Sequence, residues 1–360
     1  MSTPPLISTP LTTLIGVDHP IVQTGMGWVA GPRLVSATAR AGALGILASA
    51  TMRLDELERA IVAVKERTDR PFGVNLRSDA GDAPARVELL IRHRVAVASF
   101  ALAPKRELID RLKDNGIVVI PSVGAVRHAE KVAEWGADAV MVQGGEGGGH
   151  TGSVPTSLLV PSVVAAVDLP VVAAGGFYDG RGLAAALAYG AAGVGMGTRF
   201  LLSSDSAVPA EIKARYLDSG LDGTVVTSHA DGMPHRLLRT EFIEGLETSG
   251  RSAGLPSTIR RSLEFRKLSG MSWLAFAKDG IAMKRASGRS WAQMTLAANT
   301  PMLLKAGLVD GDTSAGMLAS GQVVGLIDDL PSCEEIVDRI VRQAVEQLDR
   351  AAATVIRESD

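Results

Sequence analysis

Apolar residues in this chain fall into short continuous runs, separated by stretches whose apolar positions recur three and four apart. The runs are Pro20–Thr24, Leu44–Ala48, Pro71–Leu76, Val97–Leu102, Ile117–Val123, Ala139–Val142, Pro170–Ala174 and Gly193–Thr198. Continuous rather than alternating runs indicate strands covered on both faces. Between the first runs, Leu34, Val35, Ala37, Thr38 and Ala41 share a helical face opened by Pro32 and stopped by Gly42, and Leu54, Leu57, Ala60, Ile61 and Val64 share the next. Further helices are predicted over 85–94, 105–115, 125–135, 161–167 and 181–189. Eight strand–helix units within residues 20–198 predict an α/β fold, a closed (β/α)8 TIM barrel. An open doubly wound sheet has the same local pattern and stays the alternative. No third glycine follows Gly25 and Gly27 at dinucleotide-fingerprint spacing, which argues against a Rossmann site.

The alternation stops after the eighth run. Residues 1–202 read as a ligand-binding barrel, and 203–290 as a mainly helical insertion or lid. Residues 291–360 read as a segment returning to the barrel through a long amphipathic helix capped by Ser332.

The polar and glycine-rich clusters sit where the strands end: Thr24-Gly25-Met26-Gly27, Asn75, Gln143 to His150, Gly175-Gly176, and Gly195-Met196-Gly197-Thr198. In barrels that rim is the active site. The segment Val142–Gly152 is the densest of them, with glycine at 144, 145, 147, 148, 149 and 152 and one imidazole, His150. Alone it could be a flexible turn with a solvated histidine. Among five clusters at equivalent positions, His150 is the candidate acid/base group. Gly175-Gly176 and Gly197-Thr198 end consecutive strands, and with a helix N-terminus at 179–182 they would cradle a phosphate. The amides of Asn75 and Gln143 suit the edge of a flat heterocycle. FMN meets both requirements.

Composition narrows the class. Cys333 is the single cysteine, which rules out an internal disulfide and suits a reducing cytoplasm. A formal net charge of -2 provides no field for nucleic acid. No signal peptide and no apolar run long enough to span a membrane is visible. His229 and His235 stand near Asp231 but lack a third ligand at suitable spacing, so no metal is expected.

The motifs Gln143–His150, Ala173–Gly176 with Asp179–Arg181, and Met196–Phe200 resemble those of the nitronate monooxygenase (2-nitropropane dioxygenase) family, over residues 11–325. The resemblance implies a barrel holding FMN non-covalently through Thr24, Gly25, Met26, Gly27, Asn75, Gln143, Gly148, Gly175 or Gly176, and Gly195, Met196, Gly197 and Thr198, with His150 on the family's catalytic histidine. Gly147 departs from the alanine common there. Segments 22–31, 222–227 and 299–308 are similar to an actinobacterial subgroup that acts on a hydroindane carboxyl-CoA ester in steroid breakdown. That likeness implies introduction or reduction of a C=C bond in an acyl-CoA ester, with His150 as acid/base and flavin N5 as hydride carrier. Arg260, Arg261, Arg266 and Lys267 would attract the CoA phosphates, and Trp28 would contact substrate. Oxidation of alkyl nitronates with dioxygen and enoyl-acyl reduction are the alternatives. A homodimer is compatible with each.

Overall fold

The structure, a computed structural model, describes residues 6–230, 232–250 and 291–355, of 249–250 and 291–299 the backbone only. Strands β1 (Ile21–Gln23), β2 (Leu44–Ala48), β3 (Phe72–Leu76), β4 (Val97–Phe100), β5 (Val118–Val123), β6 (Val140–Gln143), β8 (Val171–Ala174) and β9 (Gly193–Met196) form a parallel barrel in that order. Pairing of Val22 with Gly195 closes it and decides between the two topologies that the sequence allowed. The two-residue β7 (Gly149–His150) stands outside the barrel.

Registered neighbours share a face, so the pairings identify the interior. Val22, Leu44, Ile46, Val97, Ile120, Met141, Val172 and Ala174 point inward and pack with Leu11 and Ile15. The last two come from α1 (Pro10–Ile15), a short helix that plugs the N-terminal end. Thr9 caps it and donates its hydroxyl to Ala192 O at 2.7 Å. At six residues α1 is too short for periodicity to reveal it. Outward positions such as Leu47, Val74, Ala98 and Val119 pack on Leu57, Ile61, Leu90, Ile109 and Leu112 of the surrounding helices.

The flanking helices lie close to their predicted places: α2 (Pro32–Arg40), α3 (Leu54–Lys65), α4 (Ala83–Arg92), α5 (Arg106–Lys113), α6 (Val126–Glu134), α7 (Thr156–Val164) and α8 (Gly180–Ala188). Helix α7 begins five residues before the expected start. Pro161 reads as an opener but lies inside the helix. A four-residue helix, α9 (Thr198–Leu201), follows β9.

The insertion is not helical throughout. Between α10 (Ala210–Leu217) and α11 (Glu241–Gly250) it forms a hairpin of β10 (Thr224–Thr227) and β11 (His235–Leu238), which makes a second sheet in the order β10-β11-β7. Four-residue strands with mixed polarity carry no run for sequence reading to find. Helix α12 (Trp291–Leu308) follows, and Tyr216, fully buried, donates its hydroxyl to Ala319 O at 2.8 Å. Helix α13 (Cys333–Ala352) packs on α8 and α2. Among the described residues no helix is long and apolar enough to cross a membrane.

The α8–α13 contact is tightest at Gly180, where a Cβ would lie 2.4 Å from Ile340 O and Ala344 N. Gly180→Ala is therefore expected to destabilise the fold by about 1–3 kcal/mol. Gly124→Ala, with open space around its Cβ, serves as the control and should stay within about 0.5 kcal/mol. Chemical denaturation midpoints distinguish the two.

Candidate active site

The inward row turns polar at the C-terminal end. Two residues above Val97, Ile120 and Met141 stand Ser99, Ser122 and Gln143, and Asn75 stands above Gly73. Asn75 Nδ2 donates to Ser99 Oγ at 3.3 Å. Asn75 and Gln143 of this row were expected from the sequence, and the serines were not. Their signal was there: a lone hydroxyl at an inward position of an otherwise apolar strand.

The predicted rim residues converge. Thr24 N donates to Met196 O at 3.1 Å. A Cβ on Gly25 would lie 2.5 Å from Asn75 Cβ, and one on Gly197 would lie 3.3 Å from Thr24 Oγ1 and 3.4 Å from Met26 Sδ. Gly175 and Gly176 have φ of 98° and 82°, so this turn requires glycine. Met196 is the exception, because its buried side chain faces the helices.

The loop carrying His150 is fixed by side chains and by the insertion. Gln143 Nε2 donates to His150 O at 2.9 Å. A Cβ on Gly147 would lie 2.6 Å from that Nε2, so glycine there lets the amide fold under the loop. The Glu146 carboxylate accepts from Thr156 N at 2.9 Å and Oγ1 at 2.7 Å, capping α7. The same Oγ1 lies 2.9 Å from Gly175 O, so its one proton has an acceptor in either glycine loop. Arg236 donates to Gly145 O at 2.9 Å. Burial pushes its guanidinium below the ordinary value, while the nearby Glu146 carboxylate acts the other way. His150 itself is exposed, and its ring centroid lies 4.6 Å from that of His235, which is buried.

Some expectations change. The N-terminus of α8 is already occupied: Asp179 accepts from Gly182 N at 3.1 Å and pairs with Arg181, while Gln343 accepts from Gly180 N. A carboxylate at that spot disfavours phosphate. The 179–182 part of the expected cradle is thereby removed. The chain that instead meets Thr198 is the returning segment: Gly321 N donates to Thr198 Oγ1 at 2.9 Å, and Gln322 N to Glu146 O at 2.9 Å. Sequence reading had no means of placing residues so distant in the chain. Trp28, at φ 66°, donates its indole N–H to Pro301 O at 2.7 Å and so ties α12 to the rim. Only its ring faces remain for a substrate. Arg260, Arg261, Arg266 and Lys267 lie outside the described residues. Cys333 is buried, and burial pushes its thiol up to about 12, which removes it as a nucleophile.

If Gly147 and Gln143 act through one hydrogen bond, Gly147→Ala and Gln143→Ala should each speed native-state proteolysis within residues 144–152 by about tenfold, the worth of one such bond. The double variant should be no faster than the quicker single one. Additive rates would contradict the shared bond.

The family model for nitronate monooxygenase matches residues 8–84 and 81–343. The chain is 64% identical over 352 residues to the (3aS,4S,5R,7aS)-5-hydroxy-7a-methyl-1-oxo-octahydro-1H-indene-4-carboxyl-CoA dehydrogenase of Mycobacterium tuberculosis, covering 97% of this chain and 99% of that one. It is 64% identical over 347 residues to the Rhodococcus jostii protein of the same name, covering 96% and 98%. Among solved structures, FabK of Thermotoga maritima superposes with a TM-score of 0.80 at 34% identity, covering 97% and 100%.

Proposed function

The chain belongs to the nitronate monooxygenase family, and from that premise we propose that it is an FMN-dependent CH–CH oxidoreductase acting on a fused-ring carboxyl-CoA ester of steroid breakdown. The observation that carries this reading is likeness along nearly the whole chain to two dehydrogenases of one hydroindane carboxyl-CoA ester. The residues present fit FMN. The polar inward row of Asn75, Ser99, Ser122 and Gln143 suits the edge of a flat ring system. The turn at Gly175-Gly176 with Gly197 and Thr198 suits a phosphate, since a Cβ on Gly176 would meet nothing nearer than Glu146 at 3.5 Å. Thr24, Gly25, Met26, Gly27, Gly148 and Gly195 complete the proposed contacts.

When bound, FMN supplies the hydride acceptor or donor. The work of the chain is at the proton. A thioester's α-hydrogen is weakly acidic, so removing it takes a positioned base. Neutral imidazole at His150 accepts that proton in the oxidative direction, and imidazolium returns it in the reductive one. Gln143, by holding the His150 carbonyl, fixes the backbone from which the imidazole works. Arg260, Arg261, Arg266 and Lys267 are the proposed partners of the CoA phosphates, and Trp28 would offer a ring face to the substrate.

The test is anaerobic mixing of purified, FMN-loaded protein with the hydroindane carboxyl-CoA ester and, separately, with propionate 3-nitronate. Bleaching of the flavin by the CoA ester alone is expected. His150→Ala should slow it by about 10²–10⁴-fold and leave FMN binding intact. Rapid bleaching by the nitronate alone, or a fully active His150→Ala, would overturn the reading.

A further inference from the structure

Glycine flanks His150 on its N-terminal side at 147, 148 and 149, and again at 152. No neighbouring Cβ on that side restricts the imidazole, and Gly149 is itself in the left-handed region at φ 75°. A catalytic ring on so free a backbone would lose turnover to entropy unless something outside the loop held it.

The strand pairing shows what does. β7 pairs antiparallel with β11, His150 directly opposite His235. Thr151 N donates to Pro234 O at 3.1 Å. A bond between the residue after one partner and the residue before the other marks His150–His235 as a non-hydrogen-bonded pair. In such pairs the two side chains come closest. It follows that the N–H and C=O of His150 point away from β11. That outward carbonyl is the one that accepts from Gln143 Nε2. The backbone of His150 is thus held along both edges, by the ladder and by Gln143. Its ring meets that of His235, at 4.6 Å between centroids and 45° between planes. His235 is 2% exposed, so it is a fixed surface, whereas His150 is exposed.

We propose that His235 is a positioning residue for His150: its buried ring, presented by the insertion, restricts the exposed imidazole to the orientation in which it transfers a proton. The inference rests on the reading of His150 as the proton-transfer group. It makes the insertion part of the active site rather than a cover over it. The role needs a flat ring rather than an imidazole as such, so phenylalanine should serve where alanine does not.

The test uses the full FMN-loaded chain, labelled with ¹³C at histidine Cε1 and assigned by comparison with His150→Asn. In the native protein a cross-ring NOE between His150 and His235 is expected, and its absence would overturn the proposal without any variant. His235→Ala should broaden the His150 resonance or move it to the position of a solvated histidine, and His235→Phe should keep it sharp and dispersed. In turnover, His235→Ala should lower kcat by about 10–100-fold with KM little changed, and His235→Phe should restore most of it. An unchanged His150 resonance in His235→Ala, or a folded His235→Phe that behaves like His235→Ala, would overturn it. Should the CoA ester prove not to be the substrate, the NOE and the resonance still decide the positioning role, so the two failures are told apart.

Discussion

A loop made mostly of glycine cannot hold an imidazole still, and the contacts around residues 144–151 are what meet that difficulty. The backbone freedom that would let residues 144–149 crowd a ligand is the same freedom that would let His150 wander. Order has to be imported. Gln143 brings it from the last residue of β6, Thr156 brings it from the start of α7 by donating to the Glu146 carboxylate, and β11 brings it from the insertion. Each donor lies on an element whose own place is fixed by burial, so the freedom of the loop is removed at its edges and kept at its centre.

The barrel contributes a graded interior. Its lower layers are aliphatic and sealed by Leu11 and Ile15. Two residues higher the same inward rows turn to hydroxyl and amide groups. The change of polarity within one strand length puts hydrogen-bonding groups at the mouth while apolar packing secures the strands beneath them. The C-terminal segment closes the arrangement from a third direction. It sets Gly321 against Thr198 and anchors itself through an ion pair at 2.7 Å between buried Arg199 and partly exposed Asp329.

The barrel was legible because its strands are continuous apolar runs and its helices are periodic. Both are local signals, and the rim clusters followed from where the runs end. His150 stood out as a candidate because it is the one imidazole among those clusters. What stayed hidden depends on contacts between residues far apart in sequence. His235 lies 85 positions from His150 and reads only as part of an incomplete metal set with His229 until β11 pairs with β7. Ser320–Gln322 carry no motif at all. Asp179 was misread for a physical reason: a helix start followed by glycines looks like an anion site until its own carboxylate is seen to take the Gly182 N–H and Gln343 the Gly180 N–H. Pro161 and the short hairpin strands misled because residue type and run length outweighed context that only the tertiary structure supplies.

Native-state hydrogen exchange at the Thr151 amide tests most directly whether the insertion holds the loop that carries His150. Protection of that amide, with exchange at the same rate as the amides of β10 and β11, is the predicted result. Exchange at the rate of an unstructured chain while β11 stays protected would contradict it, and would show His150 to be free of the strand that faces it.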